Sequence, residues 1–228
     1  MRKSPFAFVL LSTVFLPFVV AAAAAADTSR PNFVLINIDD LGYRDIGPFG
    51  SNNRTPHLDR LAAEGLRFTD FHSNGAMCSP TRAALLTGLY QNRFGRKFET
   101  ALSGSTGRGE GLPLAAITLA ELLRDGSYAT AAFGKWHLGY QAPFLPTHQG
   151  FDEFRGLLSG DGDHHTHRDR EGGEDWWHNE QRVAEKGYTA DLLTRSSVDF
   201  IERHRDRSFF LYVPHLAIHF PWQGPQDP

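Results

Sequence analysis

The chain has 228 residues and a formal net charge of −3, from 23 lysines and arginines against 26 aspartates and glutamates. That balance argues against a nucleic-acid-binding protein, and the single cysteine, Cys78, excludes a disulfide scaffold. A chain of about 200 residues can bury a sizeable core, so we expect one domain.

The first 26 residues have the pattern of an export signal. Two basic residues precede an apolar run at 6–20, and small residues follow at 21–26. The apolar run is short for a transmembrane span, which favours cleavage over a retained membrane anchor. We therefore predict a signal peptide at 1–26 and an exported chain at 27–228. That chain would lie in the periplasm or outside the cell, with no stable membrane insertion.

The rest of the chain alternates between predicted strands and helices. Short apolar runs bounded by glycine or proline predict strands at 32–40, 66–71, 128–133 and 209–213. Apolar periodicity and capping residues predict helices at 55–65, 79–88, 117–123 and 188–204. This alternation predicts an α/β fold with a mostly parallel central sheet flanked by helices.

Cys78 lies at the start of one predicted helix. Ser79 is the predicted N-cap, Pro80 suits the first helical position and Gly88 suits the end. A helix N-terminus favours anions, and Arg82 adds a positive charge one turn later. A nucleophile in this place suits a sulfate or phosphate ester. The alternative is a buried free thiol ahead of an ordinary capped helix.

Asp39 and Asp40 end the first predicted strand. Ligands gather at the carboxyl ends of strands in sheets of this class, and paired carboxylates suit a hard cation such as Ca²⁺ or Mg²⁺. A solvated acidic turn is the alternative.

Lys135 and His137 are two residues apart. On an extended segment they would project to the same side and could serve one anionic site. Alternatively, Lys135 is a surface cation and His137 packs beside Trp136.

Several motifs, taken in order, resemble those of type I sulfatases, which belong to the alkaline-phosphatase-like superfamily. The resemblance covers Pro31 to about Pro225 and rests on the segments 32–40, 78–88, 134–139, 150–154 and 214–221. It implies the α/β fold of that superfamily, with residues 27–228 forming the N-terminal portion of a sulfatase catalytic domain. It also implies a sulfuric ester hydrolase of the arylsulfatase type.

The resemblance implies a catalytic role for five residues. A maturation enzyme would convert Cys78 to formylglycine, whose hydrate attacks sulfur. Arg82 and Lys135 would offset charge on the sulfate oxygens. His137 would act as a base, and His219, in a His-x-Pro sequence, would protonate the leaving alcohol.

The implied metal site is incomplete. Asp39, Asp40 and converted Cys78 would bind Ca²⁺, with Mg²⁺ as the alternative. The family's Asp-Asn pair and its sulfate-binding lysine lie downstream of the His-x-Pro loop, beyond Pro228. We therefore expect weak calcium binding, and little turnover from this chain alone.

Two other functions remain open. One is a phosphate or phosphonate ester hydrolase of the same superfamily, and the other is a non-catalytic remnant that binds sulfated glycans. For the sulfatase, the substrate would be a sulfated small molecule or glycan.

The region 159–175 reads as a long surface loop. Ser159 weakly matches a family serine near the nucleophile. His164, His165 and His167 lack the cysteines and regular scaffold of a zinc site, so we expect a solvated or substrate-facing loop. The adjacent tryptophans at 176–177 suit either sugar stacking or the core.

Overall fold

The computed structural model describes residues 30–227, so the predicted signal peptide lies outside the described residues. Its centre is a six-stranded sheet in the order β1-β6-β2-β3-β4-β5. The strands are β1 (Phe33–Ile38), β2 (Ala129–Lys135), β3 (Glu153–Leu157), β4 (Trp177–His178), β5 (Gln181–Arg182) and β6 (Phe209–His215). The first four strands in this order pair in parallel, and β4 and β5 pair antiparallel.

The described residues form four α-helices: α1 (Pro56–Glu64), α2 (Cys78–Thr87), α3 (Leu119–Asp125) and α4 (Thr189–Arg203). Residues of α2, α3 and α4 pack in the core on the two sides of the sheet, whereas no residue of α1 is buried. Short 3₁₀ helices lie at Gly47–Phe49, Gln91–Phe94, Arg96–Phe98 and Pro146–Gln149. Within the part of the chain that the structure describes, no helix is both long and apolar enough to span a bilayer.

The core has two layers because successive strand residues face opposite sides of the sheet. On β6, Phe210 and Tyr212 join one cluster, to which α2 and α3 contribute. Leu211 and Val213 join the other, which α4 covers. The predicted α/β class, with a mostly parallel sheet between helices, is confirmed.

The predicted strand at 66–71 is wrong, because these residues form no regular structure. Leu66, Phe68 and Phe71 are largely exposed. Their alternation is typical of a half-buried strand, but a strand forms only where another strand pairs with it. No strand in the described range of 30–227 pairs with this segment.

Helix starts also differ from prediction. Helix α2 begins at Cys78, with Met77 as its N-cap, so Ser79 lies inside the first turn. The Ser79 hydroxyl instead accepts a hydrogen bond from the Leu102 amide at 3.0 Å. Thr55 is the N-cap residue of α1, in agreement with the predicted start, but its hydroxyl accepts from the Gly47 amide and donates to Asp59, each at 2.9 Å, and makes no capping hydrogen bond.

Candidate active site

Most of the predicted site residues lie at the edge of the sheet where the parallel strands have their carboxyl ends. β6 lies between β1 and β2 and runs parallel to both, so the segments that follow these strands meet at one edge. Asp39 and Asp40 follow β1, Lys135 ends β2, and His219 follows β6. The N-terminus of α2 brings Cys78 to the same edge.

A cavity of about 570 Å³ opens at this edge. Five residues that the sequence singled out line it: Asp40, Cys78, His137, Ser159 and His219. Cys78 is half-buried at the start of α2, so its side chain is accessible from the cavity.

Cys78 and His137 are in direct contact. The sulfur lies 3.1 Å from Nδ1 of His137, and Nε2 of the same ring lies 2.8 Å from the Leu102 carbonyl oxygen. A carbonyl only accepts, so Nε2 donates and Nδ1 presents its lone pair to the thiol. Burial, followed by the charge of Lys135, lowers the pKa of His137 to about 3. His137 is therefore neutral near pH 7.

Asp39, Arg82 and Lys135 form a buried charge cluster beneath the cavity. The Lys135 ammonium donates to Oδ2 of Asp39, and the Arg82 guanidinium lies 3.3 Å from Oδ1. Arg82 also donates to the Lys135 carbonyl at 2.7 Å. Burial opposes ionisation of Asp39, but Arg82 and Lys135 outweigh it and hold the pKa of the carboxyl below its ordinary value.

The ion pair between Lys135 and Asp39 shows that Lys135 and His137 do not project to the same side of an extended segment, contrary to the expectation. His137 has a φ of 55°, so the segment is not extended. Lys135 turns inward to Asp39, whereas His137 faces Cys78 in the cavity. The two side chains therefore serve different parts of the site.

The residues present do not fit the implied metal site as they stand. Both carboxylate oxygens of Asp39 face cationic side chains, so Asp40 is the exposed carboxylate of the implied metal site. Among residues 30–227, no three His, Cys, Asp or Glu side chains are grouped to hold a metal ion. Ca²⁺ takes six to eight oxygen ligands, more than these side chains supply in this arrangement.

His219 lies at the side of the cavity nearest to Asp40. Its Nδ1 donates to the Phe220 carbonyl at 2.6 Å, and its Nε2 lies 3.8 Å from Oδ2 of Asp40. Nε2 is thus the nitrogen available to a bound molecule. His215, four residues earlier, is the last residue of β6.

Sequence reasoning missed several parts of the site. The Leu102 carbonyl, which orients His137, is a backbone group without a side-chain signal. Tyr140 also donates to that carbonyl, at 3.1 Å. Gly160 packs so closely on His137 that an added Cβ would lie 2.3 Å from Cε1 of the ring. Its position next to Ser159 was the available signal.

The histidine-rich loop is more buried than expected. His164 and His167 are each 2% exposed, so the prediction of a solvated or substrate-facing loop is wrong for both. Aromatic stacking explains their burial, because His164 lies on Tyr188 and the His167 ring lies 4.4 Å from that of Trp176. Trp176 is part of the core.

Comparisons with known proteins agree with this architecture. A family model described as Sulfatase matches residues 31–228. Mouse arylsulfatase J is 37% identical over 212 residues, which are 89% of this chain and 35% of the relative. Human arylsulfatase A is 49% identical over 139 residues, or 60% of this chain and 27% of the relative. The chain therefore spans about a third of these curated relatives.

Solved structures also match most of this chain but less than half of their own length. The crystal structure of Ps i-CgsB matches with a TM-score of 0.79 and 34% identity, covering 86% of this chain and 47% of that one. A second structure of Ps i-CgsB, in complex with k-i-k-neocarrahexaose, matches with a TM-score of 0.76.

Proposed function

The chain belongs to the sulfatase family, and we propose that it hydrolyses a sulfate ester through a formylglycine made from Cys78. The observation that carries the proposal is the contact between Cys78 and Nδ1 of His137 inside the cavity. The side chain at position 78 is accessible and has a neutral proton acceptor beside it. That arrangement fits a modified nucleophile.

Formylglycine would supply, as its hydrate, one hydroxyl whose oxygen bonds to sulfur as the bond between sulfur and the alcohol oxygen breaks. Deprotonation of its second hydroxyl would break the C–O bond to sulfate, which releases sulfate and restores the aldehyde. His137, held by Leu102 with Nδ1 as acceptor, takes the proton of that second hydroxyl. His219, when protonated at Nε2, gives a proton to the leaving alcohol as the ester S–O bond breaks. The start of α2 adds amide donors and a positive dipole on the side where sulfate charge would lie.

Arg82 and Lys135 act from beneath the cavity. Both are buried, and neither lines it, so in this arrangement they act on sulfate through their charge. Direct contact between the Lys135 ammonium and a sulfate oxygen would require Lys135 to leave Asp39. We therefore propose Arg82 and Lys135 as electrostatic contributors to the site.

Asp40, together with Asp39 and converted Cys78, would bind Ca²⁺ only weakly. Because the described carboxylates do not assemble a calcium site, we propose that this chain alone turns over little. The proposed substrate is a sulfated small molecule or glycan. The proposed partner is the formylglycine-generating maturation enzyme, and the proposed location is the periplasm or the cell exterior, after removal of residues 1–26.

The test combines mass spectrometry with a paired assay. The chain is produced together with a formylglycine-generating enzyme, and the Cys78 peptide is weighed. We expect formylglycine at position 78 and slow hydrolysis of an aryl sulfate, which Cys78→Ala abolishes. Faster hydrolysis of an aryl phosphate would favour the phosphatase alternative. The proposal of a formylglycine-dependent sulfatase would be refuted if Cys78 stayed an unmodified thiol. It would also be refuted if the Cys78→Ala variant lost no aryl sulfate hydrolysis.

The binding-only alternative has one observation in its favour: Lys135 and Arg82 contact both carboxylate oxygens of Asp39, which makes this carboxylate less available to a cation. Binding of a sulfated oligosaccharide by converted protein without any turnover would support it. Turnover as fast as that of full-length relatives would instead contradict the proposal that this chain is weakly active.

A further inference from the structure

His219 lies on a segment whose apolar side chains are poorly buried. The segment 216–224 follows β6, and we call it the His219 segment. Phe220 and Trp222, which come directly after His219, are 54% and 82% exposed. Side-chain burial therefore does little to fix this part of the segment, although proton transfer from His219 needs its Nε2 at a defined place. Polar contacts have to supply that order.

Backbone hydrogen bonds hold the first part of the His219 segment. The Asp39 amide donates to the Ala217 carbonyl at 3.2 Å, and the Ile218 amide donates to the Asp39 carbonyl at 2.9 Å. Both bonds lie directly before His219. They fix the start of the segment to the residue that follows β1, and the part after His219 needs an anchor of its own.

Gln223 anchors the second part through both ends of its side-chain amide. Its Nε2 donates to Oδ2 of Asp163 at 2.7 Å, and its Oε1 accepts from the His164 amide at 2.8 Å. Burial raises the pKa of Asp163, but its hydrogen bonds outweigh that effect and hold the pKa below the ordinary value. The carboxylate therefore only accepts, and a single orientation of the Gln223 amide satisfies both partners.

The loop that receives Gln223 is fixed independently of the His219 segment. Oδ1 of Asp163 accepts from the His165 amide at 2.9 Å, from the Thr166 amide at 2.6 Å and from the Thr166 hydroxyl at 2.9 Å. The His164 carbonyl accepts from the amide and the hydroxyl of Thr189, the first residue of α4, at 2.9 and 3.0 Å. The loop at 163–167 is thus a firm support built on a helix.

Two further hydrogen bonds join the same two surfaces. The Tyr188 hydroxyl donates to the Gln223 carbonyl at 2.9 Å, and Nε2 of His165 donates to the Gly224 carbonyl at 3.0 Å. His219 therefore lies between two anchored points, with Ile218 directly before it and Gln223 four residues after it. Gln223 is the residue whose side chain makes this second anchor.

We propose that Gln223 and Asp163 are positioning residues for His219. Their hydrogen bond holds the segment in the shape in which Nδ1 of His219 donates to the Phe220 carbonyl at 2.6 Å and Nε2 faces the cavity. The hydrogen bond at one nitrogen of a neutral imidazole sets which nitrogen carries the proton. The inference rests on the proposed function in one respect, that His219 is the proton donor to the leaving alcohol.

The first test reads the tautomer of neutral His219 by NMR of the ring nitrogens in isotopically labelled protein. The His219 signal is the one that His219→Gln removes. We expect the Nδ1–H form in the unchanged chain. Gln223→Glu places a second carboxylate against Asp163 and should lower the population of this form by about half, because a released ring populates both tautomers.

A second substitution should restore the anchor. With Asp163→Asn added to Gln223→Glu, the asparagine amide donates to the new carboxylate while its oxygen still accepts from the loop, so the Nδ1–H form should return. Gln226→Glu is the matched control, because it adds the same charge at an exposed position nearby. The proposal is overturned if Gln223→Glu leaves the tautomer unchanged, if Gln226→Glu acts alike, or if the double substitution restores nothing.

A kinetic measurement connects the anchor to the proposed chemistry. A proton donor matters more for phenyl sulfate than for para-nitrophenyl sulfate, whose phenolate leaves readily. In converted protein, Gln223→Glu should lower kcat/KM about tenfold for phenyl sulfate and less than about twofold for para-nitrophenyl sulfate. Added to His219→Ala, it should cause no further loss.

The two measurements separate this inference from the proposed function. Equal losses for both esters, or a full further loss in the His219→Ala background, would overturn the positioning role. If converted protein hydrolyses neither ester, the proposed function fails, and the tautomer of His219 still decides whether Gln223 and Asp163 orient its ring.

Discussion

At the scale of single residues, the centre of the site is a neutral histidine whose proton position is fixed. His137 donates from Nε2 to Leu102 and presents Nδ1 to Cys78 at 3.1 Å. Gly160 allows this arrangement, because its lack of a side chain leaves space for the ring. The position of His137 therefore depends on Gly160, a neighbour that has no side chain to take part in a reaction.

Replacing Gly160 with alanine should displace His137 from Cys78. The new Cβ would lie 2.3 Å from the ring, which is closer than any real contact. We expect kcat/KM for Cys78-dependent aryl sulfate hydrolysis to fall about 100-fold, the effect of roughly 1 Å of misplacement. Gly109→Ala is the control, since nothing lies within 4 Å of its Cβ. Equal effects of the two substitutions would contradict this prediction.

Calcium should bind weakly to this chain. Asp39 is occupied by Lys135 and Arg82, so Asp40 offers the exposed carboxylate. We expect isothermal titration to give a Kd weaker than about 1 mM, the weak end of natural calcium sites. Asp40→Asn should remove the remaining heat of binding. A micromolar Kd would show that Asp39 releases its partners.

At the scale of elements, α3 shows how one local signal fixes a helix start. Thr118 accepts from the Glu121 amide at 3.1 Å, and the Glu121 carboxylate accepts from the Thr118 amide at 2.7 Å, which forms a capping box. The Thr118 hydroxyl also donates to the buried Gln149 carbonyl at 2.8 Å. The cap thus joins α3 to the segment before β3.

Thr118→Ala should lower the free energy of unfolding by about 2 kcal/mol. About 1 kcal/mol corresponds to loss of the cap, and the rest to a buried carbonyl left without its donor. Urea denaturation measures the change. Thr194→Ala on α4 is the control, because that hydroxyl is exposed and bonds only the preceding turn of its own helix. A similar loss in both variants would show that the cap is not the cause.

At the scale of the whole molecule, stability should fall as the medium becomes acidic. Burial lowers the pKa of four histidines below the ordinary value of about 6.5: His137, His164, His167 and His215. Below that pH the unfolded chain binds protons that the folded chain does not, so stability rises with pH in this window. Asp175 acts in the opposite sense, since burial raises the pKa of its carboxyl.

We expect a lower urea midpoint at pH 5.5 than at pH 7.5. The four histidines outnumber the single opposing carboxyl, Asp175, so the net effect is a loss of stability at the lower pH. His215→Gln should reduce the difference between the two midpoints, whereas His57→Gln, at an exposed position of α1, should leave it unchanged. A higher midpoint at pH 5.5 would contradict the prediction.

The sequence by itself determined the α/β class, the strand that Asp39 and Asp40 follow, and the place of Cys78 at a helix start. Such features follow from signals a few residues long, namely apolar runs, glycines, prolines and motif spacing. The helix at 188–204 was predicted to within one residue at each end of α4 (Thr189–Arg203), because its apolar periodicity is strong.

Only the tertiary structure decided which groups meet. Lys135 pairs with Asp39, 96 residues away, because Lys135 ends β2 and Asp39 follows β1, the two parallel strands that flank β6. The Leu102 carbonyl orients His137 across 35 residues. The alternating segment at 66–71 has no strand to pair with among the described residues, and His164 and His167 are buried by aromatic partners. Each outcome depends on long-range packing, which residue spacing along the chain does not encode.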